Sequence, residues 1–188
     1  MAQFFAVKAM VSKPEAAGKL ASLINETMKV TVLGVLEEPS KGVLALVSYD
    51  TKAEAKQAWE SKVFASMSAD IGSFTIRTWM NAFDGNVSES CYVAYCLDKE
   101  NSIELRKSTR PAHVEWLKSS TLSNGKIGPF TIVNEKENNA VQGAVGSLLI
   151  VDYAAGMDEL AKFLKNDPYA KAGLFASTEL YKIRIIKQ

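Results

Sequence analysis

Histidine occurs once in this 188-residue chain, at position 113. It is the one side chain that gives and takes a proton near neutral pH without first being strongly perturbed. Its neighbourhood reads Ser108-Thr109-Arg110-Pro111-Ala112-His113-Val114-Glu115-Trp116-Leu117. The planar fork of Arg110 suits a carboxylate or phenolate oxygen, and the Ser108 hydroxyl could donate to the same atom. Such a set would move a proton on a small anionic molecule. Simpler readings stand beside this one. A lone histidine is often solvated or at the edge of a core, and Arg106, Lys107 and Arg110 read equally well as a solvated helix start. Ser147 and Ser177 have no second histidine to activate them as nucleophiles. Asp167-Pro168 is the pattern of a helix N-cap followed by a first-turn proline. Trp116 and Tyr169 read as core aromatics.

The elements that must carry these residues follow from local pattern. Phe4 to Ala9 is a short apolar strand, and Ser12-Lys13-Pro14-Glu15 has the spacing of a capping box. Ala16, Leu20, Leu23, Ile24, Thr27 and Met28 then share a helical face. Val30–Leu36 and Val43–Tyr49 are strands around a Glu37–Gly42 turn. Asp50 or Thr51 caps a helix through Trp59, and Ser73–Met80 is a fourth strand. After a polar segment the order repeats: strand Tyr92–Leu97, helix from about Thr109 to Lys118, strand Ile127–Val133, polar loop Asn134–Gln142, strand Gly146–Tyr153, helix around Asp158–Leu164, strand Glu179–Ile186. This places His113 early in its helix. A helix N-terminus disfavours an imidazolium and a nearby carboxylate favours it.

The repeat is visible in the residues. Gly42-Val43-Leu44-Ala45-Leu46-Val47-Ser48-Tyr49 aligns with Gly146-Ser147-Leu148-Leu149-Ile150-Val151-Asp152-Tyr153; Phe64-Ala65 aligns with Tyr169-Ala170, and Ile76-Arg77 with Ile183-Arg184. Each half is β-α-β-β-α-β, a ferredoxin-like order. The expected organisation is therefore a degenerate unit over 1–80, a linker over 81–90 and a second unit over 91–188. A four-stranded sheet with helices on one face must have its other face covered. The fold class expected is α+β: two tandem ferredoxin-like units forming an intramolecular dimeric α+β barrel, a pseudo-dimer. Assembly of such pseudo-dimers into a homo-oligomer is left open.

Composition narrows the partners. The formal net charge is +1, which gives no basic footprint for nucleic acid. No apolar run is long enough to span a membrane, and the first residues read as a strand rather than a signal peptide, so a cytoplasmic location is expected. Cys91 and Cys96 are an odd number of residues apart on one strand, which puts them on opposite faces as ordinary, unbridged thiols. One histidine and two cysteines are too few soft ligands for a transition metal, and no carboxylate cluster suggests a magnesium site. No metal and no bound cofactor is expected.

Four motifs occur in order in the second half: Arg110-x-x-His113, Gly128-Pro129, Gly146-Ser147 followed by an apolar strand, and Asp167-Pro168-Tyr169-x-x-Ala172-Gly173. In these the chain resembles the YCII-related family over about residues 91–188. The resemblance implies a dimeric α+β barrel with a pocket beside the sheet. It implies that His113 and Asp167 are the catalytic pair, and that Arg110, Ser108, Gly128 and Tyr169 lie where substrate binds. It also implies a cofactor-independent reaction of lyase, isomerase or hydrolase type on a small organic molecule, halide elimination from aromatic substrates being one activity in the family. The alternative is a non-catalytic ligand-binding or assembly subunit. The first half departs from the pattern: it has no histidine, and Lys62-Val63-Phe64 stands where the second half has Asp167-Pro168-Tyr169.

Overall fold

The computed structural model describes residues 2–134 and 140–188. The chain divides into two compact units, Met1–Trp79 with Lys182–Gln188, and Met80–Tyr181.

The first unit begins with β1 (Gln3–Val11), α1 (Ala16–Thr27), β2 (Val30–Glu38) and β3 (Gly42–Tyr49). The expected capping box does not form. Glu15 is already helical, and the Ser12 hydroxyl instead donates to the carbonyls of Ala69 and Asp70. Leu20, Ala21 and Ile24 on α1 pack onto the sheet. At α2 (Lys52–Ala58) a reciprocal cap does form: Thr51 Oγ accepts from Glu54 N, and the Glu54 carboxylate accepts from Asp50 N. The helix runs past Trp59 as a π-helical stretch, Trp59–Phe64, and α3 (Ala65–Met67), before β4 (Ile71–Trp79). Trp59 is fully buried against Phe74. The strand order is β4-β1-β3-β2, all antiparallel, with Val7 opposite both Ala45 and Ile76.

The second unit holds β5 (Phe83–Asp84), β6 (Ser90–Asp98), α4 (Ile103–Lys118), a 3-10 turn at Thr121–Asn124, β7 (Lys126–Asn134), β8 (Ala140–Val151), α5 (Met157–Leu164) and α6 (Pro168–Lys171). Its last strand is the first part of β9 (Phe175–Lys187). The order β9-β6-β8-β7 repeats the first unit's permutation strand for strand. Apolar residues of β6 and β8, including Ala94, Leu149 and Val151, pack with Leu117 of α4 and Leu160 of α5.

Several boundaries differ from the sequence reading. Residues 81–90 are not a bare linker. Ala82 N donates to Ile127 O, and β5 adds to the edge of β7, with Lys126 paired to Asp84 at 2.9 Å. Residues 182–188 join the first unit, where β9 pairs with β2, Val35 standing opposite Arg184. β8 starts at Ala140, and residues 135–139 of the polar loop expected at Asn134–Gln142 lie outside the described residues. Helix α4 starts six residues before Thr109, because Pro111 sits inside it rather than in its first turn. Among the described residues no helix is long and apolar enough to cross a membrane.

Candidate active site

Arg106, His113 and Leu117 are the buried residues of α4. Their spacing of seven and four puts them on one helical stripe facing the sheet. His113 therefore stands nearly three turns inside the helix, not at its N-terminus, and the argument from a helix end does not apply.

The His113 Nδ1 lies 2.7 Å from Asp167 Oδ1, and both side chains are buried. Asp167 also caps α6, accepting from Tyr169 N at 2.9 Å. Capping and pairing are thus compatible, as the residue types suggest, but they use the same oxygen. Pro168 at the first helical position needs no hydrogen bond for its nitrogen, so the turn closes without competing for the carboxylate. Gly173, at φ +69°, ends the turn in a conformation that other residues rarely adopt. Asp167 and Tyr169 are held between these two points.

Tyr169 carries the pair further. Its ring stacks on the His113 imidazole, centroids 3.9 Å apart, and Arg106 Cζ lies 4.6 Å from the same ring centroid. Burial pushes the Tyr169 phenol up, against the opposing charges of Arg106 and Arg110, so the ring stays neutral.

Arg106 is the residue that the sequence reading missed. It is 6% exposed. One guanidinium nitrogen contacts both Asp98 carboxylate oxygens, at 2.8 and 2.9 Å; the other donates to the Gly146 carbonyl and to Ser147 Oγ. Burial raises the Asp98 carboxyl above its ordinary range in spite of the Arg106 charge and hydrogen bonds. Gly146 is forced at its position, since a Cβ there would lie 2.4 Å from the Cys96 carbonyl oxygen. The signal was present: Arg106 is seven residues before His113, one stripe of a helix that starts early enough.

These groups border a cavity of about 230 Å³ within the second unit. Val114, Leu117, Ile127 and Pro129 supply apolar wall; Lys107, Arg110, His113 and Tyr169 bring polar groups to it. Arg110 is exposed and borders the cavity, and Gly128 lies in its wall. Ser108 does not belong there. It is exposed, and its hydroxyl donates back to the Leu105 carbonyl one turn earlier. Trp116 lies against Phe163, as a core aromatic would. In the first unit Lys62 reaches the Thr27 carbonyl, and residues 1–79 contain no histidine.

Comparison with known proteins identifies the family. The model of the YCII-related domain matches residues 90–184. Protein YciI of Escherichia coli O6:H1 is 32% identical over 87 residues, 45% of this chain and 86% of that protein. A 5-chloro-2-hydroxyhydroquinone dehydrochlorinase from Burkholderia phenoliruptrix is 29% identical, covering 48% of this chain and 89% of its own at a TM-score of 0.40. Over nearly the full length, a variant of chlorite dismutase from Candidatus Nitrospira defluvii superposes at a TM-score of 0.60 with 10% identity, covering 96% of this chain and 91% of that one. That last likeness is one of fold. The domain match and the likeness to protein YciI carry the conclusion that this chain belongs to the YCII-related family.

Proposed function

We propose that the second unit is a small-molecule enzyme in which His113 is the general acid and base and Asp167 orients it. The observation that carries this reading is the 2.7 Å contact between His113 Nδ1 and the buried Asp167 carboxylate. With Nδ1 committed to the carboxylate, Nε2 is the nitrogen left to exchange a proton with a molecule in the cavity. A neutral imidazole so held is a base; once protonated, it is stabilised by the carboxylate behind it and can return the proton. Elimination, isomerisation and hydrolysis all need only this exchange, and none needs a resident cofactor.

The cavity favours a compact, largely apolar substrate with an anionic oxygen. The walls are apolar, and Arg110 supplies positive charge at the border, where Lys107 is paired with Glu104. Arg106 also borders the cavity, but both of its terminal nitrogens are already engaged, by Asp98, Gly146 and Ser147. The first unit lacks a histidine, so the chain has one such site.

The test is a ligand screen of wild type and His113→Ala, with turnover measured on every compound that binds. The expected result is turnover by wild type and a loss of about a hundredfold or more in the variant, with binding retained. Equal binding with no turnover by either protein would replace the enzyme with a ligand-binding module. Equal turnover by both would remove His113 from the chemistry.

A further inference from the structure

A second cavity, of about 340 Å³, lies on the other side of the Asp167 carboxylate. That is within the size range of small-molecule sites. Leu164, Phe175 and Leu180 give it apolar walls, and Asp167, Cys96, Thr178 and Lys165 are its polar members. Asp167 borders this cavity and not the first one.

Asp167 is 3% exposed, and both of its hydrogen bonds end on Oδ1. Oδ2 takes none among the described residues. Oδ2 is not sealed from solvent, and Asp167 borders the open space of this cavity. The thiol of Cys96 stays protonated and adds no second negative charge. Burial pushes it up to about 12, and it shares a hydrogen bond with Thr178. Lys165 is exposed, at the rim. The two cavities therefore have opposite chemistry. The first is bordered by Arg110 and suits an anion; the second is bordered by the Asp167 carboxylate, which repels anions.

We propose that the cavity behind Asp167 is a second binding site, for a small apolar molecule that carries one N–H or O–H donor, neutral or cationic. The donor bonds to Oδ2, and the apolar body fills the space beside Leu164 and Leu180. A donor on Oδ2 draws negative charge away from Oδ1 and weakens the bond to His113 Nδ1. The occupant is thereby an effector of the dyad. This coupling rests on the reading of His113 as the working base; the binding does not.

Benzylamine, toluene and benzoate serve as probes in titrations of methyl-labelled wild-type protein by NMR. Benzylamine is expected to shift the methyls of Leu149, Leu164 and Leu180 saturably, about tenfold more tightly than toluene, which lacks the donor. Benzoate is expected to leave them unmoved. The His113 ring resonances are expected to move with the same saturation curve, and Ala161→Phe, which fills the cavity, to abolish all of these shifts. Benzylamine shifts confined to Val114, Leu117 and Val141 of the first cavity, or equal affinity for toluene and benzylamine, would overturn the site. The comparison of the two on wild type decides the matter even if Ala161→Phe does not fold. A His113 ring that stays still while the Leu164 and Leu180 methyls saturate would overturn the coupling. Loss of turnover in His113→Ala is read separately, so failure here and failure of the enzyme are told apart.

Discussion

The imidazole of His113 lies nearly parallel to the phenol ring of Tyr169, with planes 22° apart and centroids 3.9 Å apart. Arg106 meets the same ring at 4.6 Å. Seven residues of α-helix separate Arg106 from His113, a rise of about 10 Å. The two ring contacts nearly fill that rise, so the Tyr169 ring takes up the space between the two side chains. His113 is consequently fixed in two directions, in its plane by Asp167 and across its plane by Tyr169.

Tyr169→Phe keeps this stack and should change stability by less than about 1 kcal/mol. Tyr169→Ala removes a buried ring and should cost about 3–5 kcal/mol. Urea denaturation reads the difference. The decisive measurement is the His113 ring linewidth in the folded protein, which should broaden in the alanine variant and not in the phenylalanine one.

The Asp98–Arg106 pair is buried on both sides, at 3% and 7% side-chain exposure for Asp98 and Arg106 respectively. Breaking one member of a buried pair leaves the other charge without compensation. Asp98→Asn should therefore destabilise the second unit by about 3–5 kcal/mol. Replacing both residues with apolar side chains, Asp98→Leu with Arg106→Met, should cost less than the single change, provided that the Gly146 carbonyl and Ser147 keep water as a partner. A double variant less stable than Asp98→Asn would mean that the bonds to Gly146 and Ser147 matter more than the ion pair.

Arg110 is exposed, unlike Arg106 on the preceding turns, and it borders the first cavity. Arg110→Gln should leave stability within about 0.5 kcal/mol of wild type. It should weaken the binding of an anionic ligand about tenfold, and more at low salt than at high salt. The same change should leave a neutral isostere of that ligand unaffected. Isothermal titration at two ionic strengths checks both statements.

Burial pushes both thiols, Cys91 and Cys96, up to about 12. A thiol in the unfolded chain ionises near pH 8.5–9, so the unfolded state loses its protons first as pH rises. Stability contributed by these groups is intact below about pH 8 and is lost between about pH 9 and pH 12, at up to about 1.4 kcal/mol per pH unit for each thiol. Denaturation followed from pH 8 to pH 11 should show this decline, and Cys91→Ala should reduce its slope. At pH 8 neither thiol should react with a disulfide reagent unless denaturant is present.

The parts of the fold set by local pattern were readable in the residues. A β-branched run marked β2, Asp50 or Thr51 marked the start of α2, and the matching Gly42–Tyr49 and Gly146–Tyr153 stretches marked the strand order that both units share. The contact between His113 and Asp167 was reached through the motifs around them, since nothing in their spacing, 54 residues apart, brings them together. What was not readable depended on context. Pro111 is a first-turn residue by habit and an interior one here, and that one misplacement hid Arg106 as a surface charge. Ser12 has the spacing of a cap but finds carbonyls across the loop. Ser108 has the right chemistry on the wrong side of its helix, where only the main chain one turn back is in reach.

β2 draws its outer neighbour from Lys182–Lys187, the far end of the chain. On the ribosome, the first unit's own strands β1 to β4 are complete once Trp79 is made. The residues that close the edge of β2 follow about a hundred positions later, a delay of about 5–20 s at ordinary rates of synthesis. For that interval a nascent chain carries an open strand edge able to recruit another nascent chain. Glu37 and Glu38 at the end of β2 put charge on that edge, and Arg184 pairs with Glu37 when the last strand arrives. The charge that discourages a wrong partner before Lys182–Lys187 is made is the one that receives Arg184 once it is.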